Sequence, residues 1–495
     1  MANNRNAGVL VHLTSLPGKH GIGDLGEGAY RFIDFLVASG QRLWQVLPTG
    51  PTDPCNSPYA SYSAFGGNPL LINIDYLKQI NLLDAKELSS LVIPEYPNVN
   101  YPFVNEVKHN LLQIAFQRYR STEPTELTQK LLEFQHRQQH WLSDYSLFMA
   151  LKDHFQGVSW TKWPEPIRRR QPEAITAWQK SLAAEIQYQE FLQYLFFTQW
   201  DMLKTYANDQ GIKMIGDLPI FVAHDSADVW TYSELFDLDN QGIPTAVAGV
   251  PPDYFSATGQ HWGNPLYNWS KHKEQDYSWW ISRIETLLSI VDLIRVDHFR
   301  GFEAYWSIPF GEKTAVNGNW KKGPGACFFQ AIEQKIGYLP IICEDLGFIT
   351  KEVEELRDQF KLPGMRVLQF AFDELRANVH TPHNHVQNSV VYTGTHDNDT
   401  TLGWFQKATK ETQTYALRYL GTNSGNIAWD FIRAAYASPA NTAIIPLQDI
   451  LSLDTKSRMN TPGTAEHNWE WRFHPSHLTD EVTQRLAAMT TLYER

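Results

Sequence analysis

The stretch Leu293-Ile294-Arg295-Val296-Asp297-His298 is an apolar run that ends in polar residues, a pattern that recurs along the chain. In an extended strand the side chains alternate between two faces, so Arg295 and Asp297 share one face and the apolar residues between them share the other. Charged side chains on the inner face of a buried strand must lie near the mouth of a barrel. The stretch therefore predicts a strand that ends at a polar, solvent-accessible mouth.

Eight apolar runs of this kind occur along the chain, and most of them end in polar or Gly/Pro-containing loops. They are Gly8–Leu13, Leu43–Pro48, Lys213–Pro219, Asp292–Asp297, Pro340–Glu344, Met365–Phe372, Val390–Thr393 and Ala443–Pro446. Helical periodicity separates several of the runs, at Ala29–Ser39, Tyr277–Ile290, Ala326–Ile336 and Thr350–Phe360. Eight strands that alternate with helices predict an α/β protein with a (β/α)8 TIM barrel.

The spacing between runs predicts one catalytic barrel over residues 1–495 with two inserted segments. Residues 73–210 are charged, Trp-rich and helical in periodicity, so we expect a mainly helical subdomain there. Residues 223–270 are rich in Pro, Gly and aromatic residues with little periodicity, which predicts a loop-rich subdomain. Both insertions together account for the length of 495 residues.

The composition narrows the classes of partner. A net charge of -12 disfavours nucleic-acid binding, which depends on clustered Lys and Arg, and no segment has the length of a membrane span. The three cysteines, Cys55, Cys327 and Cys343, are too far apart in sequence for a zinc motif or a disulfide framework. We expect a cytoplasmic enzyme with a neutral or small substrate, without a secretory leader.

Acidic residues follow several runs, where the chemistry of a barrel is located. These polar residues are Asp217, Asp297, Glu344 and the pair His396–Asp397. Each acid alone has a structural alternative, because an Asp after a strand often caps the next helix, and Arg295 with Asp297 could be a structural ion pair. The neighbouring guanidinium favours an ionised Asp297, the state that a nucleophile needs.

The adjacent acids Glu344 and Asp345 point in opposite directions in an extended chain, so one of them faces the mouth. Apolar neighbours raise the pKa of a carboxyl group, which suits a general acid, and we assign that part to Glu344. Asp345 is then the loop or capping residue.

A metal-dependent barrel hydrolase is a further alternative, since its ligands would also lie at strand ends. The first run offers His12-Leu13-Thr14 without a second His two residues later. The histidines His380, His383 and His385 lie in a polar stretch that is typical of solvated side chains. We therefore predict no metal and no other cofactor.

Longer strings in the chain resemble the amylomaltase family of the α-amylase clan. The strings are Ser57-Pro58-Tyr59, Ser63–Leu70, Gly216–Pro219, Val247–Phe255, Trp262–Pro265, Arg295–Gly301, Thr393–Thr400 and Arg458–Gly463. The resemblance extends from about residue 8 to residue 473, and irregular strings of this length are far more specific than one short motif. Cys343 is a mild departure, because small residues such as Ala are usual in that position.

The resemblance implies a 4-α-glucanotransferase of starch, glycogen or maltodextrin metabolism, which acts by a retaining double displacement on α-1,4-glucans. It implies Asp297 as nucleophile, Glu344 as acid/base and Asp397 as transition-state stabiliser. The substrate-binding residues that it implies are Ser57, Tyr59, Asp217, Tyr254, Phe255, Trp262, Arg295, His298, His396 and Asn460. Among them Tyr254, Phe255 and Trp262 would line the acceptor groove, and the insertion 223–270 would lie over that groove.

Two other functions remain compatible with the residues themselves. An α-glucan hydrolase would use the same three acids with water as the acceptor, and residue chemistry does not separate it from a transferase. A glucan-binding protein without activity would use the aromatic residues as platforms, but it has no need for three acids at strand ends. As partners we expect maltooligosaccharides and other α-1,4-glucans, with the protein a monomer or a weak homo-oligomer.

Overall fold

The computed structural model describes residues 5–89, 97–252, 256–372, 378–423, 425–464 and 466–495. The strands over these residues are β1 (Asn6–Leu10), β2 (Leu43–Gln45), β3 (Lys213–Leu218), β4 (Ala246–Val250), β5 (Gln260–Pro265), β6 (Leu293–Val296), β7 (Ala304–Pro309), β8 (Asn319–Lys322), β9 (Ile341–Cys343), β10 (Gly364–Val367), β11 (Ser389–Tyr392) and β12 (Thr442–Pro446). Each of the eight apolar runs contains or overlaps one of them.

The α-helices over the same residues are α1 (Glu27–Ala38), α2 (Ile74–Gln79), α3 (Ala85–Ser89), α4 (Tyr101–Thr122), α5 (Thr125–Arg137), α6 (Leu142–His154), α7 (Glu165–Arg168), α8 (Pro172–Ser181), α9 (Ala183–Asp209), α10 (Ala227–Thr231), α11 (Trp269–Glu274), α12 (Ser278–Ile290), α13 (Ala326–Ile336), α14 (Lys351–Gln359), α15 (Thr401–Lys407), α16 (Lys410–Leu420), α17 (Ile427–Ala437), α18 (Leu447–Ile450) and α19 (Asp480–Leu492). Short 3-10 helices occur at Leu13–Ser15, Pro69–Leu71, Trp160–Lys162, Ser233–Leu235, Phe299–Phe302, Leu368–Ala371, Pro382–Asn384, Thr455–Ser457 and Pro475–His477.

Eight parallel strands close into a barrel in the order β1-β12-β11-β10-β9-β6-β3-β2, which confirms the predicted fold. The barrel strands are buried at nearly every position, as expected for strands with helices on one side and packed side chains on the other. At the closure Gly8 is required sterically, because a Cβ there would lie 2.5 Å from the Leu43 carbonyl oxygen. Within the described residues, no helix has the length and apolar character to span a membrane.

The long segment between β2 and β3 holds helices α2 to α9. Helix α9 contacts α4, α5 and α6 on one side and α1 and α12 of the barrel wall on the other. The Nζ of the buried Lys108 of α4 lies 3.1 Å from Asp24 Oδ2, in the loop after β1, and 2.7 Å from the Leu70 carbonyl oxygen, in the segment after β2. Because breaking such a buried pair is strongly destabilising, it fixes these helices to the barrel.

A second sheet stands beside the barrel, with the antiparallel order β5-β4-β7-β8. Strands β4 and β5 lie in the segment that the sequence predicted to be loop-rich, and β7 and β8 follow β6. The sequence did not indicate β5 and β8, because β8 is exposed at all four positions and β5 at its first three. Neither strand therefore shows a buried alternating face.

Candidate active site

The polar residues singled out in the sequence lie at the carboxyl ends of barrel strands. Asp217 belongs to β3, Asp297 directly follows β6, and Glu344 directly follows β9. His396 and Asp397 lie in the loop after β11. Because β6 is hydrogen-bonded to both β3 and β9, the first three acids are on neighbouring strand ends.

Arg295 connects two of these acids. Its Nη1 donates to both carboxylate oxygens of Asp217 at 2.8 Å and to Asp297 Oδ1 at 3.0 Å. Tyr59 Oη also donates to Asp217, at 2.7 Å. The Asp217 side chain has no exposed surface, so its charge is used inside the protein to hold Arg295 and Tyr59. Asp297 differs, since 28% of its side chain is exposed to the mouth.

Glu344 is held by two backbone amides. The amide of His298 donates to Oε2 at 2.7 Å, and that of Leu346 donates to Oε1 at 3.2 Å. Burial raises the pKa of Glu344 to about 8, with Arg295 opposing the shift and Asp297 adding to it. Glu344 therefore carries a proton at neutral pH, as a general acid must.

Burial also raises the pKa of Asp297, to about 6, and Arg295 opposes this rise. The sequence-based expectation that Arg295 favours the ionised form agrees in direction, but desolvation is the larger contribution. With these pKa values Asp297 is mostly ionised at neutral pH while Glu344 is mostly protonated. Two carboxyl groups with separated pKa values are the condition for dividing nucleophile and acid roles between them.

Asp397 is held by a different set of partners. Its Oδ1 accepts from Asn460 Nδ2 at 2.6 Å, and His396 Nε2 lies 3.3 Å from its Oδ2. Burial alone would raise the pKa of Asp397, but the charge and hydrogen bond of His396, together with the amide of Asn460, lower it below its usual range. Asp397 is therefore a fixed anion, and 46% of its side chain is exposed.

His298 contributes an unused polar atom. Its backbone has a φ of +48°, and its buried ring Nε2 has no hydrogen-bond partner within the described part of the chain. Burial lowers the pKa of His298 to about 3, with Arg300 adding to the effect, so the ring is neutral. A buried polar atom that is left unpaired in the protein is suited to a ligand hydroxyl.

Aromatic rings border the same mouth. Tyr59 stacks on His396 with centroids 5.2 Å apart and an interplanar angle of 15°. The rings of Trp262 on β5 and His298 are perpendicular, with centroids 4.9 Å apart, and Trp262 is 37% exposed. Ser57 Oγ accepts the amide of Tyr59 at 3.3 Å, which places Ser57 beside this group. Tyr254 and Phe255, expected in the acceptor groove, lie outside the described residues.

Several supporting residues were not singled out from the sequence. Arg458 donates to the backbone oxygens of Asp397 and Asn460, each at 2.6 Å, and so ties their two loops together. The ring of Trp469 lies 5.9 Å from Tyr59 and 6.1 Å from His396. The string Arg458–Gly463 was the signal for Arg458, since it carries Asn460 two residues later.

The adjacent Asp345, assigned from the sequence to a loop or cap, is buried and saturated. It accepts from the amide of Met365 and from Arg357 Nη1, each at 2.6 Å, and Arg366 Nη1 is 3.4 Å away.

Over the residues that the structure describes, no group of three or more His, Cys, Asp or Glu side chains is arranged to hold a metal ion.

The fold and the mouth together define a (β/α)8 barrel with a group of carboxyl side chains at the carboxyl ends of its strands. A family model described as 4-α-glucanotransferase matches residues 11–479. Among curated relatives, the 4-α-glucanotransferase of Synechocystis is 50% identical over 100% of this chain and 99% of its own length. That of Thermus thermophilus is 46% identical over 99% of each chain.

Solved structures give the same assignment. The amylomaltase from Streptococcus agalactiae, determined in complex with acarbose, aligns with a TM-score of 0.96 and 41% identity over 99% of each chain. The amylomaltase from Corynebacterium glutamicum has a TM-score of 0.79 at 18% identity, covering 98% of this chain and 75% of its own, and supports the fold alone. The chain belongs to the 4-α-glucanotransferase family, and its activity is that of a transferase acting on α-1,4-glucans.

Proposed function

We propose that Asp297 is the nucleophile, Glu344 the acid/base and Asp397 the transition-state stabiliser of this transfer. In the first step the Asp297 carboxylate attacks C1 of a glucose unit, while Glu344 gives its proton to the departing glycosidic oxygen. The product is a glycosyl ester on Asp297 and a shorter glucan with a free 4-hydroxyl. Family membership favours this transferase over the hydrolase and the inactive glucan-binding protein that the residues alone left open.

In the second step the 4-hydroxyl of glucose or another glucan gives its proton to Glu344 and attacks C1 of the ester. The Asp297 carboxylate leaves, and a new α-1,4 bond forms. Each step inverts C1, so the overall result is retention. Asp397, fixed as an anion by His396 and Asn460, stabilises the positive charge that develops on the sugar in both transition states.

One observation carries this assignment. Asp297 and Glu344 lie on paired strand ends, and the peptide amide between Asp297 and His298 donates to Glu344. Both carboxyl groups keep free hydrogen-bonding capacity toward the mouth, because among the described side chains Asp297 is bonded to Arg295 alone, and Glu344 accepts from two amides. A carboxylate that must attack a carbon atom cannot be saturated by hydrogen bonds.

The remaining residues are proposed to bind sugars. His298 offers its unpaired Nε2 to a hydroxyl group, His396 and Tyr59 form a stacked wall, and Arg295 holds the position of Asp297. Ser57 and Asp217 act through Tyr59, and Asn460 acts through Asp397. Tyr254, Phe255 and Trp262 remain the proposed acceptor platform. The Streptococcus agalactiae relative was determined in complex with acarbose, which supports the proposal that this chain binds a glucan.

The cellular compartment and the oligomeric state are proposals as well. The three cysteines are free thiols, which supports function in a reducing cytoplasm. A monomer or a weak homo-oligomer is likewise proposed as the active form.

Maltotriose disproportionation tests the proposal. The expected products are glucose and longer oligosaccharides with almost no gain in reducing ends, and proton NMR should show new linkages in the α configuration alone. Equal yields of glucose and maltose with a matching gain in reducing ends would identify a hydrolase instead, and β-linked or inverted products would exclude the double displacement.

A further inference from the structure

Two exposed aromatic rings near the mouth have no part in the proposed reaction. Trp320 on β8 is 36% exposed, and Phe348, in the loop after Glu344, is 67% exposed. The rings are stacked, with centroids 6.5 Å apart and an interplanar angle of 26°. Two adjacent exposed rings form a contiguous apolar patch, and such patches often mark a binding site.

The loops that carry the catalytic acids hold these rings in place. Arg300 follows Asp297 by three residues, so their Cα atoms are at most roughly 11 Å apart. The guanidinium of Arg300 covers the Trp320 ring, 3.8 Å from its centroid, and donates to the carbonyl oxygen of Phe348. Phe348 is itself at most roughly 14 Å from Glu344 along the chain. The rings therefore stand on the rim of the mouth, on the side of the acid/base.

The second sheet connects Trp320 to Trp262, which belongs to the proposed acceptor platform. His261 is paired with Gly249, Gly249 with Trp306, and Trp306 with Trp320, so one row crosses all four strands. Three strand spacings, about 14 Å, separate the strand of Trp262 from that of Trp320. Trp262 on β5 and Trp320 on β8 thus belong to one sheet.

We propose that Trp320 and Phe348 form a stacking platform for glucose units of the glucan chain, beyond the reaction centre on the leaving-group and acceptor side. This site rests on the proposed function, because the side is defined by Glu344. The apolar faces of glucose rings stack on aromatic rings.

The surrounding charges favour a neutral ligand. Arg300 is occupied by the carbonyl oxygens of Phe348 and Ala304, and Lys322 is paired with Glu303. A phosphate chain would need free cationic groups in this position. The rings of Trp306 and Trp320 are also in contact, with centroids 5.2 Å apart and an interplanar angle of 70°, so the platform loses little conformational entropy when a sugar binds.

Binding to a long glucan tests the platform without turnover. In an Asp297→Asn background, retardation in native gels that contain glycogen should give a dissociation constant about three- to tenfold higher for Trp320→Ala and for Phe348→Ala. Phe310→Ala is the matched control, since Phe310 is an exposed phenylalanine just after β7 of the same sheet. If Phe348→Ala unfolds like the parent protein, its lower affinity for glycogen is not caused by a loss of the folded structure.

Kinetics provide the second measurement. With Asp297 restored, the ratio of kcat/KM for maltoheptaose to kcat/KM for maltotriose should fall about three- to tenfold in both platform variants and stay unchanged in Phe310→Ala. Equal glycogen affinity and an equal ratio in all three variants would overturn the platform. Retention of these proteins by a single-stranded oligonucleotide, but not by glycogen, would also overturn it. Full activity of Asp297→Asn would refute the proposed nucleophile, while the gel comparison would still decide on the platform.

Discussion

Glu344 and Asp345 are neighbours in the chain at the same strand end, yet their surroundings differ in kind. Asp345 is 2% exposed and is saturated by Arg357, Arg366 and the amide of Met365. Glu344 accepts two amides and has a pKa raised to about 8. A carboxylate with cationic partners stabilises the fold, whereas one that lacks such direct partners is available for chemistry. Asp217 and Asp297 share Arg295, but Asp217 is fully buried and also accepts from Tyr59, whereas 28% of the Asp297 side chain is exposed.

The contrast predicts that losing Asp297 affects activity and not stability. Asp297→Asn should lower the maltotriose disproportionation rate by about a thousandfold or more, because an amide cannot form the glycosyl ester. The change is isosteric, so urea unfolding should remain close to that of the parent protein. Activity above a few per cent, in protein shown by mass spectrometry to be free of deamidation, would place the nucleophile elsewhere.

Glu344→Gln should separate substrates by their leaving groups. The loss should be about a hundredfold or more on maltotriose and much smaller on α-glucosyl fluoride, whose fluoride leaves without a proton. A similar loss on both substrates, with formation of the ester rate-limiting in each case, would contradict the acid role.

The pKa values also predict a bell-shaped dependence of kcat/KM on pH. Asp297 must be ionised, so activity falls as the pH drops below about 6. Glu344 must be protonated, so activity falls as the pH rises above about 8, and Glu344→Gln should lack this alkaline limb. An alkaline limb that persists unchanged in Glu344→Gln would assign it to another group.

Asp345→Asn should have the opposite effect to Asp297→Asn. It leaves Arg357 and Arg366 without their shared buried anion, and the free energy of unfolding should fall by about 3 kcal/mol in urea titrations. Asp358 binds the same Arg357 at 2.8 Å, but its side chain is 64% exposed. Asp358→Asn is the matched control and should change stability by less than about 0.5 kcal/mol. Equal effects would remove the distinction between the two acids.

The smallest expected effect concerns the acceptor. Trp262→Ala should lower the ratio of transfer to hydrolysis of maltotriose about three- to tenfold, because the acceptor sugar loses a stacking surface that water does not need. Tyr338→Ala is the control, since Tyr338 is an exposed aromatic residue that precedes β9 and so lies at the opposite end of the barrel. An unchanged ratio in Trp262→Ala would refute the acceptor platform and leave the three acids unaffected.

The barrel could be predicted from the sequence because its strands are continuous buried runs with acids at their ends. Helix α13 was predicted with its observed bounds, Ala326–Ile336, and it ends at Gly337, which has a φ of +93°. The second sheet was missed because β8 is fully exposed and its four residues carry no burial pattern. An exposed strand without a burial pattern is stabilised by its partners in the sheet, and the local sequence does not show them.

In the active site, the position of an acid after a strand could be predicted from the sequence, but its hydrogen-bond partners could not. Asn460 is 63 residues from Asp397, and only the closed barrel brings their loops together. The pKa of Asp297 could not be predicted either. Arg295, which lowers this pKa, is visible in the sequence, but the burial that outweighs it depends on the whole fold. Contacts between strand-end loops arise from tertiary structure, which explains why roles were easier to infer than hydrogen bonds.

The central claim is that Asp297, rather than a neighbouring acid, forms the covalent intermediate. A glucosyl fluoride with an additional fluorine on the sugar ring slows both steps, and its good leaving group lets the first step outrun the second. Digestion of the labelled protein and mass spectrometry should then find one glycosyl group on the peptide that contains Asp297, with the label removed by added maltose. A label on the peptide of Glu344 or of Asp397 would contradict the account.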